Sequence, residues 1–144
     1  MHEAFRWTRA VRRITAACNI DEVKSLRDPA LFREAAFVGN RWVAGGESIS
    51  VSNPATGAEV GRVPSLGADE TNEAIAAAAA AFPEWRAASA AKRAELLEAW
   101  HDAMMANVED LARIMTLEQG KPLAESRGEV RYGAGFVKWF SEEA

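Results

Sequence analysis

A long stripe of apolar residues marks the second half of the chain. Between residues 97 and 115 the apolar positions recur at steps of three and four: Leu97, Trp100, Met104, Val108, Leu111 and Met115. This spacing places them on one face of an α-helix and predicts that they form a core. An unbroken helix here exceeds the usual length in globular domains, so we expect a break near Asn107. Gly120 can take the left-handed conformation that ends a helix, and Pro122 suits the first turn of the next one.

Helical patterns also precede and follow this stripe. Asp69 is suited to cap a helix that we expect to end at Pro83. Its apolar face holds Ile75, Ala78, Ala79 and Phe82. Ser89 suits the N-cap of the next helix. After Pro122 a further helix carries Leu123, Val130, Val137 and Phe140, together with Gly128, Gly133 and Gly135. Each glycine lowers helix propensity by about 1 kcal/mol, so we expect a close-packed or functional element against them.

Between residues 36 and 63 the apolar period changes to two, which is typical of β-strands. Phe37-Val38, the turn Gly39-Asn40 and Arg41-Trp42-Val43 predict a β-hairpin. Ile49 and Val51 predict another strand, and the run Asn53 to Gly57 predicts a turn. Val60 to Val63 predicts a last short strand that ends at Pro64.

The first 28 residues differ in composition from the rest. Their basic and apolar positions form an amphipathic pattern: Phe5, Arg6, Trp7, Arg9, Val11, Arg12, Arg13 and Ile14. The pattern fits a mitochondrial presequence, although serine is scarce and no cleavage signal is evident. The alternatives are a mobile N-terminal helix and translated sequence upstream of the true start. We therefore divide the chain into an extension, residues 1–28, and a domain portion, residues 29–144.

Composition excludes several classes of function. The chain has 144 residues and a formal net charge of −4, with no basic patch, so we expect no nucleic-acid partner. No apolar run approaches the roughly 20 residues that span a bilayer. Cys18 is the only cysteine, which excludes an internal disulfide and a CxxC site. His2 and His101 are too far apart to suggest a metal site, and Glu109-Asp110 is interpreted as a solvated pair.

Two short motifs indicate a family. The runs TLEQGKP, at residues 116–122, and NPATG, at residues 53–57, resemble segments of the NAD(P)-dependent aldehyde dehydrogenases. Within that family the greatest resemblance is to succinate-semialdehyde dehydrogenases, whose bacterial members carry runs close to GADET, MTLEQGKPLAE and WFSEEA. The resemblance extends from about Leu31 to Ala144. It implies an α/β fold class in which a basic N-terminal segment and a small antiparallel β region precede three or four amphipathic helices. It also implies that the hairpin and the strands of the β region form one small sheet at the edge of the cofactor-binding domain. By the same resemblance, residues 29–144 are expected to form an incomplete N-terminal part of the cofactor-binding domain.

The resemblance also implies roles for a few residues. In several members a monovalent cation is held by carbonyl groups and one acidic side chain, at positions that correspond to Val51, Ser52 and Glu118. The helix after Pro122 resembles one that lines the substrate tunnel, which carries over Gly128, Tyr132 and Phe136. No catalytic and no cofactor-binding residue is assigned in this chain. The family's nucleophilic cysteine, oxyanion asparagine and glutamate base belong to segments downstream of Ala144, so Cys18 is interpreted as an incidental thiol.

Two hypotheses of function follow. The first is an N-terminal fragment of an aldehyde dehydrogenase whose full-length form oxidises succinate semialdehyde with NAD or NADP as a homo-oligomer. The fragment itself is then expected to be inactive, to bind the cofactor poorly and to self-associate through uncovered apolar surface. The alternative is a non-catalytic helical interaction module derived from the same family. We expect a cytoplasmic protein, or a mitochondrial one if the basic N-terminus is a presequence.

Overall fold

The computed structural model describes Val23 and residues 25–144, and shows a small β region followed by helices. A 3-10 turn precedes four strands and four α-helices among these residues: Pro29–Leu31, β1 Ala36–Val38, β2 Arg41–Val43, β3 Ser48–Ser52, β4 Glu59–Pro64, α1 Ala68–Ala87, α2 Ala90–Ala106, α3 Val108–Gln119 and α4 Leu123–Glu142. This order confirms the expected β region and amphipathic helices. The predictions for His2, Cys18 and the basic pattern between Phe5 and Ile14 lie outside the described residues.

The β region consists of two separate two-stranded antiparallel sheets, β1-β2 and β3-β4. The β1-β2 hairpin is confirmed, with Phe37 opposite Trp42. Its turn residues Gly39 and Asn40 have φ of 55° and 63°, as a tight type I′ turn requires. The expectation of one sheet is wrong. Gly45 and Gly46, both at positive φ, redirect the chain between β2 and β3, so the two hairpins do not share a ladder.

Helix α1 differs from its prediction at both ends. Gly67, not Asp69, is the N-cap residue, because the Glu70 carboxylate accepts a hydrogen bond from the Gly67 N–H at 2.9 Å. Asp69 lies in the first turn instead. The helix passes through Pro83 and ends at Ala87. Proline removes one N–H donor from a helix, but the carbonyl that it leaves unpaired lies on an exposed helix and can bind water.

The predicted apolar face of α1 is not buried. Ile75 and Phe82 are exposed, whereas Ala74 and Ala77 are half-buried. Ala77 approaches the β1-β2 turn, where a Cβ added to Gly39 would lie 3.5 Å from its Cβ. The alanine face therefore lies against the hairpin, and the larger side chains lie outside.

Helices α2, α3 and α4 contain the core. Ser89 caps α2 by accepting a hydrogen bond from Lys92 N–H at 3.2 Å, and the helix breaks at Asn107, both as predicted. The core residues lie on α3 and α4: Val108, Ala112 and Val130, packed by Leu111, Met115 and Leu123. Trp100 is 58% exposed, so its prediction as a core residue is wrong, and Phe140 is also exposed. The core-facing side of α4 carries Val130 and Ala134, and it leaves Phe140 on the outer side.

The glycines of α4 also depart from expectation. Nothing lies within 4 Å of a Cβ added to Gly128 or Gly135, and Gly133 has only the Met104 methyl group at 3.9 Å. The expected close-packed element is therefore absent from Gly128 and Gly135 within the described part of the chain.

No helix within the described residues is long and apolar enough to cross a membrane.

Candidate functional site

The two sequence motifs meet in the structure. Asn53 is buried and its Oδ1 accepts a hydrogen bond from Ala55 N–H at 2.9 Å, which closes the turn at residues 53–57. Gly120 ends α3 in the left-handed conformation, with φ of 71°, as predicted. A Cβ added to Gly120 would lie 2.8 Å from Pro54 Cγ, closer than real Cβ contacts. The end of α3 and the turn after β3 are thus in direct contact, and only glycine fits this position.

The three residues of the proposed cation site flank this contact. Val51 and Ser52 lie at the end of β3, where the pairing with β4 shifts register between them. Glu118 lies on the last turn of α3, two residues before Gly120. Backbone carbonyl groups and a carboxylate are the hard oxygen ligands that alkali and alkaline-earth cations prefer. The structure brings the two segments together, and the cation site itself stays a prediction.

Glu118 has a distinctive electrostatic environment. Burial raises the pKa of its carboxyl group above the ordinary value. The residue lines an open pocket of about 430 Å³ among α2, α3 and α4, with apolar walls that include Met104, Leu111 and Met115. Glu118 is exposed as a residue, so its carboxylate is only partly desolvated, and a positive charge nearby favours its ionised form. This carboxylate therefore suits a cation, although no group of three His, Cys, Asp or Glu side chains within residues 25–144 is placed to hold a metal ion.

The proposed tunnel residues share the outer face of α4. The rings of Tyr132 and Phe136 pack edge to face, with centroids 4.8 Å apart and planes at 82°. Both side chains are exposed, and Gly128 has open space beside it one turn earlier. The spacing of four thus places the three residues on one surface. Their role as a tunnel wall stays a prediction.

Asp110 is a buried carboxylate, although the sequence pattern predicts a solvated one. It is only 4% exposed, and it accepts hydrogen bonds from the backbone N–H groups of Arg27 at 3.1 Å and Asp28 at 2.8 Å. The hydrogen bond from Asp28, with that from Arg27, holds the pKa of Asp110 below its ordinary value. The interpretation of Glu109-Asp110 as a solvated pair is therefore wrong for Asp110. Its partners lie more than 80 residues away, so no local pattern signals the contact.

Leu26 is buried beside the segment that Asp110 holds. The Arg113 guanidinium adds a long hydrogen bond of 3.5 Å to the Ser25 carbonyl group. Residues 25–28 are consequently attached to α3.

A second buried polar contact joins α3 to α4. The hydroxyl groups of Thr116 and Ser126 lie 2.9 Å apart, and Ser126 is completely buried. On the surface, the Arg127 guanidinium contacts the Glu109 carboxylate at 2.9 Å. These contacts fix the orientation of α4, and therefore which of its faces stays uncovered.

Comparison with known proteins identifies the family to which this chain belongs. Residues 42–144 match the aldehyde dehydrogenase family. The chain is 54% identical over 121 residues to a glutarate-semialdehyde dehydrogenase of Pseudomonas aeruginosa, covering 83% of this chain and 25% of the relative. It is 52% identical over 120 residues to the NADP⁺ succinate-semialdehyde dehydrogenase of Escherichia coli, covering 82% and 25%.

Solved structures agree with the sequence relatives. The crystal structure of a succinate-semialdehyde dehydrogenase from Burkholderia pseudomallei aligns with a TM-score of 0.80 at 49% identity, covering 83% of this chain and 25% of that one. The chain belongs to the aldehyde dehydrogenase family, and its fold is that of an N-terminal part of these enzymes. It spans about a quarter of the length of the relatives that it matches.

Proposed function

We propose that this segment belongs to an NAD(P)-dependent dehydrogenase that oxidises succinate semialdehyde to succinate. The observation that carries the proposal is identity near 50% to relatives named for closely related aldehydes. These names include glutarate-semialdehyde, succinate-semialdehyde, aspartate-semialdehyde and 3-sulfolactaldehyde dehydrogenases. The named aldehydes share a short backbone and an acidic group. The substrate class of the proposal is therefore a small anionic aldehyde.

In this proposal the segment contributes structure to the active site and no reacting group. Oxidation of an aldehyde to an acid needs a nucleophile, a stabilised oxyanion and a base for hydrolysis. NAD or NADP supplies the hydride acceptor. No residue of this chain is assigned a contact with that cofactor. The isolated chain is accordingly expected to be inactive.

Tyr132 and Phe136 are the residues through which the segment would influence substrate choice. Their exposed rings form an edge-to-face pair on α4. A wall of two aromatic rings limits the width of a passage, and it favours short aldehydes over bulky ones. A changed pocket contact of this kind alters the discrimination between a short and a bulky aldehyde by about 1–3 kcal/mol.

A chimera tests the proposal. Residues 31–144 replace the corresponding segment of a full-length succinate-semialdehyde dehydrogenase, and NAD(P)H formation is followed with succinate semialdehyde and with a long apolar aldehyde. We expect an active chimera in which Tyr132→Ala and Phe136→Ala change the ratio of the two kcat/KM values, while Trp100→Ala on α2 does not. Equal ratios for all variants would exclude the wall. A folded but inactive chimera would contradict the assignment of the segment.

The isolated chain provides a second test. We expect no NAD(P)H formation above background with any of these aldehydes. Activity that is proportional to chain concentration and survives Cys18→Ala would overturn the expected inactivity, because the only thiol would then be dispensable.

The location of the full-length enzyme is also part of the proposal. We propose the cytoplasm, with mitochondria as the alternative raised by the basic residues before Asp28. Fusion of residues 1–28 to a fluorescent protein in a eukaryotic cell distinguishes the two. Diffuse fluorescence supports the cytoplasm, and mitochondrial fluorescence contradicts it.

A further inference from the structure

A buried hydrogen bond between side chains joins α4 to α3. The hydroxyl groups of Thr116 and Ser126 lie 2.9 Å apart. Ser126, in the first turn of α4, is completely buried, and Thr116 is half-buried near the end of α3. We call these two groups the hydroxyl pair. It lies inside the protein, so its geometry does not depend on which outer surfaces are covered.

The apolar contacts between the two helices restrict their separation more than their rotation. Val108 and Ala112 of α3 pack with Val130 of α4. The hydrophobic effect is non-directional, so short side chains such as these allow a small turn of the helix with little loss of buried area. A hydrogen bond is directional and weakens steeply as its angle closes. The hydroxyl pair therefore selects one rotation of α4 about its own axis.

The ion pairs of α4 restrict its rotation less. Arg127 contacts Glu109 at 2.9 Å and Lys138 contacts Glu98 at 2.6 Å, and all four side chains are accessible to solvent. Ion pairs of this kind contribute little because water screens them and the long side chains adjust their rotamers. The buried contact is thus the more specific determinant of how α4 is turned.

A turn of α4 would move the rings on its outer side. Tyr132 and Phe136 follow Ser126 by six and ten residues, which places them about 240° and about 280° around the helix from it. With side chains the helix has a radius of roughly 5–6 Å, so a turn of about 10° displaces a ring by about 1 Å. A displacement of that size can change a reaction rate by up to about 100-fold when groups must be aligned.

We propose that the hydroxyl pair of Thr116 and Ser126 is a positioning contact that sets the substrate preference of the full-length enzyme. It does so by fixing the rotation of α4 and, with it, the place of the Tyr132 and Phe136 rings. The inference rests on the proposed function, in which these rings border the substrate passage. Neither hydroxyl group touches the substrate. The pair therefore acts on the discrimination between aldehydes and not on the reacting groups.

The chimera that carries residues 31–144 tests this role through the ratio of kcat/KM for succinate semialdehyde to that for a long apolar aldehyde. Thr116→Val removes one hydroxyl group with little change of shape, and Ser126→Ala removes the other. We expect each to change the ratio by about threefold or more, and the double variant to change it no further, because both remove the same contact. Thr116→Ser keeps the hydroxyl group and should keep the ratio.

Ser141→Ala is the matched control. Ser141 is another buried serine of α4, but its hydroxyl group donates a hydrogen bond to the Lys138 carbonyl group of the same helix at 2.7 Å. Ser141→Ala should therefore leave the ratio unchanged, although it also removes a buried hydrogen bond. Equal changes of the ratio in Ser126→Ala and Ser141→Ala would indicate a general loss of packing and would overturn the positioning role.

The remaining outcomes separate this inference from the proposed function. If Tyr132→Ala or Phe136→Ala changes the ratio while Thr116→Val and Ser126→Ala do not, the hydroxyl pair has no positioning role and the proposed function stands. If the ring variants also leave the ratio unchanged, the wall is absent and the inference fails with it. Additive changes in the double variant would overturn the inference, because the two hydroxyl groups would then act independently. If Ser126→Ala does not fold, the contrast between Thr116→Val and Thr116→Ser decides.

Discussion

Removal of the Asp110 carboxylate should release the segment that precedes the β region. The carboxylate accepts backbone hydrogen bonds from Arg27 and Asp28, and no other acceptor within the described residues binds either N–H group. A hydrogen bond to a charged group contributes about 1.5–3 kcal/mol net. Arg27 and Asp28 are exposed, so their freed N–H groups can bind water, which limits the penalty. We therefore expect Asp110→Ala to lower the free energy of unfolding by about 1.5–3 kcal/mol in total.

The effect should depend on pH in a defined direction. The pKa of Asp110 is held below its ordinary value in the folded protein, first by the hydrogen bond from Asp28 and next by that from Arg27. A lowered pKa means that the stabilisation is complete above the unfolded-state value, about 4, and is lost as the pH falls through the folded-state value. The difference between wild type and Asp110→Ala should therefore be full at neutral pH and should shrink in acid.

Urea unfolding at neutral and acidic pH measures this difference, and amide hydrogen exchange locates it. Faster exchange at Arg27 and Asp28 in Asp110→Ala would identify release of the segment. The control is Glu109→Gln, which alters the adjacent but exposed carboxylate bound to Arg127 and should change stability much less. Equal unfolding midpoints for wild type and Asp110→Ala at neutral pH would refute the reasoning, as would a difference that is the same in acid.

Three further predictions concern packing and charge. Gly120→Ala should destabilise the protein by about 1–3 kcal/mol through strain at positive φ. Gly128→Ala should stabilise it by about 0.5–1 kcal/mol, because alanine has the higher helix propensity. Melting temperatures that shift in opposite directions would confirm both. Leu117→Ala should cost roughly 2–5 kcal/mol because Leu117 is buried, while the exposed Trp100 should cost far less when truncated. Similar losses in urea unfolding would contradict that contrast. Burial raises the pKa of Glu118 in the folded protein, so ionisation of this carboxyl group lowers stability once the pH rises above its unfolded-state pKa of about 4.3. Glu118→Gln should therefore raise the urea midpoint of unfolding at neutral pH and leave it unchanged in acid.

Local backbone chemistry made part of the fold predictable. The Gly39-Asn40 turn, the Ser89 cap and the left-handed Gly120 each depend on a few adjacent residues, and all three are confirmed. The same reasoning failed at Asp69 and Pro83. Gly67 is the N-cap because the Glu70 carboxylate reaches its N–H group. Pro83 does not end α1, because the loss of one hydrogen-bond donor on an exposed helix costs too little to stop the helix before Ala87.

Burial was harder to predict than helix position. Periodicity placed Trp100 on a continuous apolar stripe but could not show which part of the stripe α4 covers. The Asp110 contact spans more than 80 residues, so only the folded chain reveals it. For the candidate site, family resemblance supplied the residues, and the structure added that their two segments touch at Gly120 and Pro54.

The contact between Gly120 and Pro54 makes the two sequence motifs a single steric unit. The proline ring occupies the space that a side chain at residue 120 would need. A smaller residue at position 54 should therefore relieve part of the restriction at position 120, although the positive φ would still favour glycine. Position 120 is thus restricted twice, by its backbone conformation and by the proline ring, and a change at position 54 can remove only the second restriction.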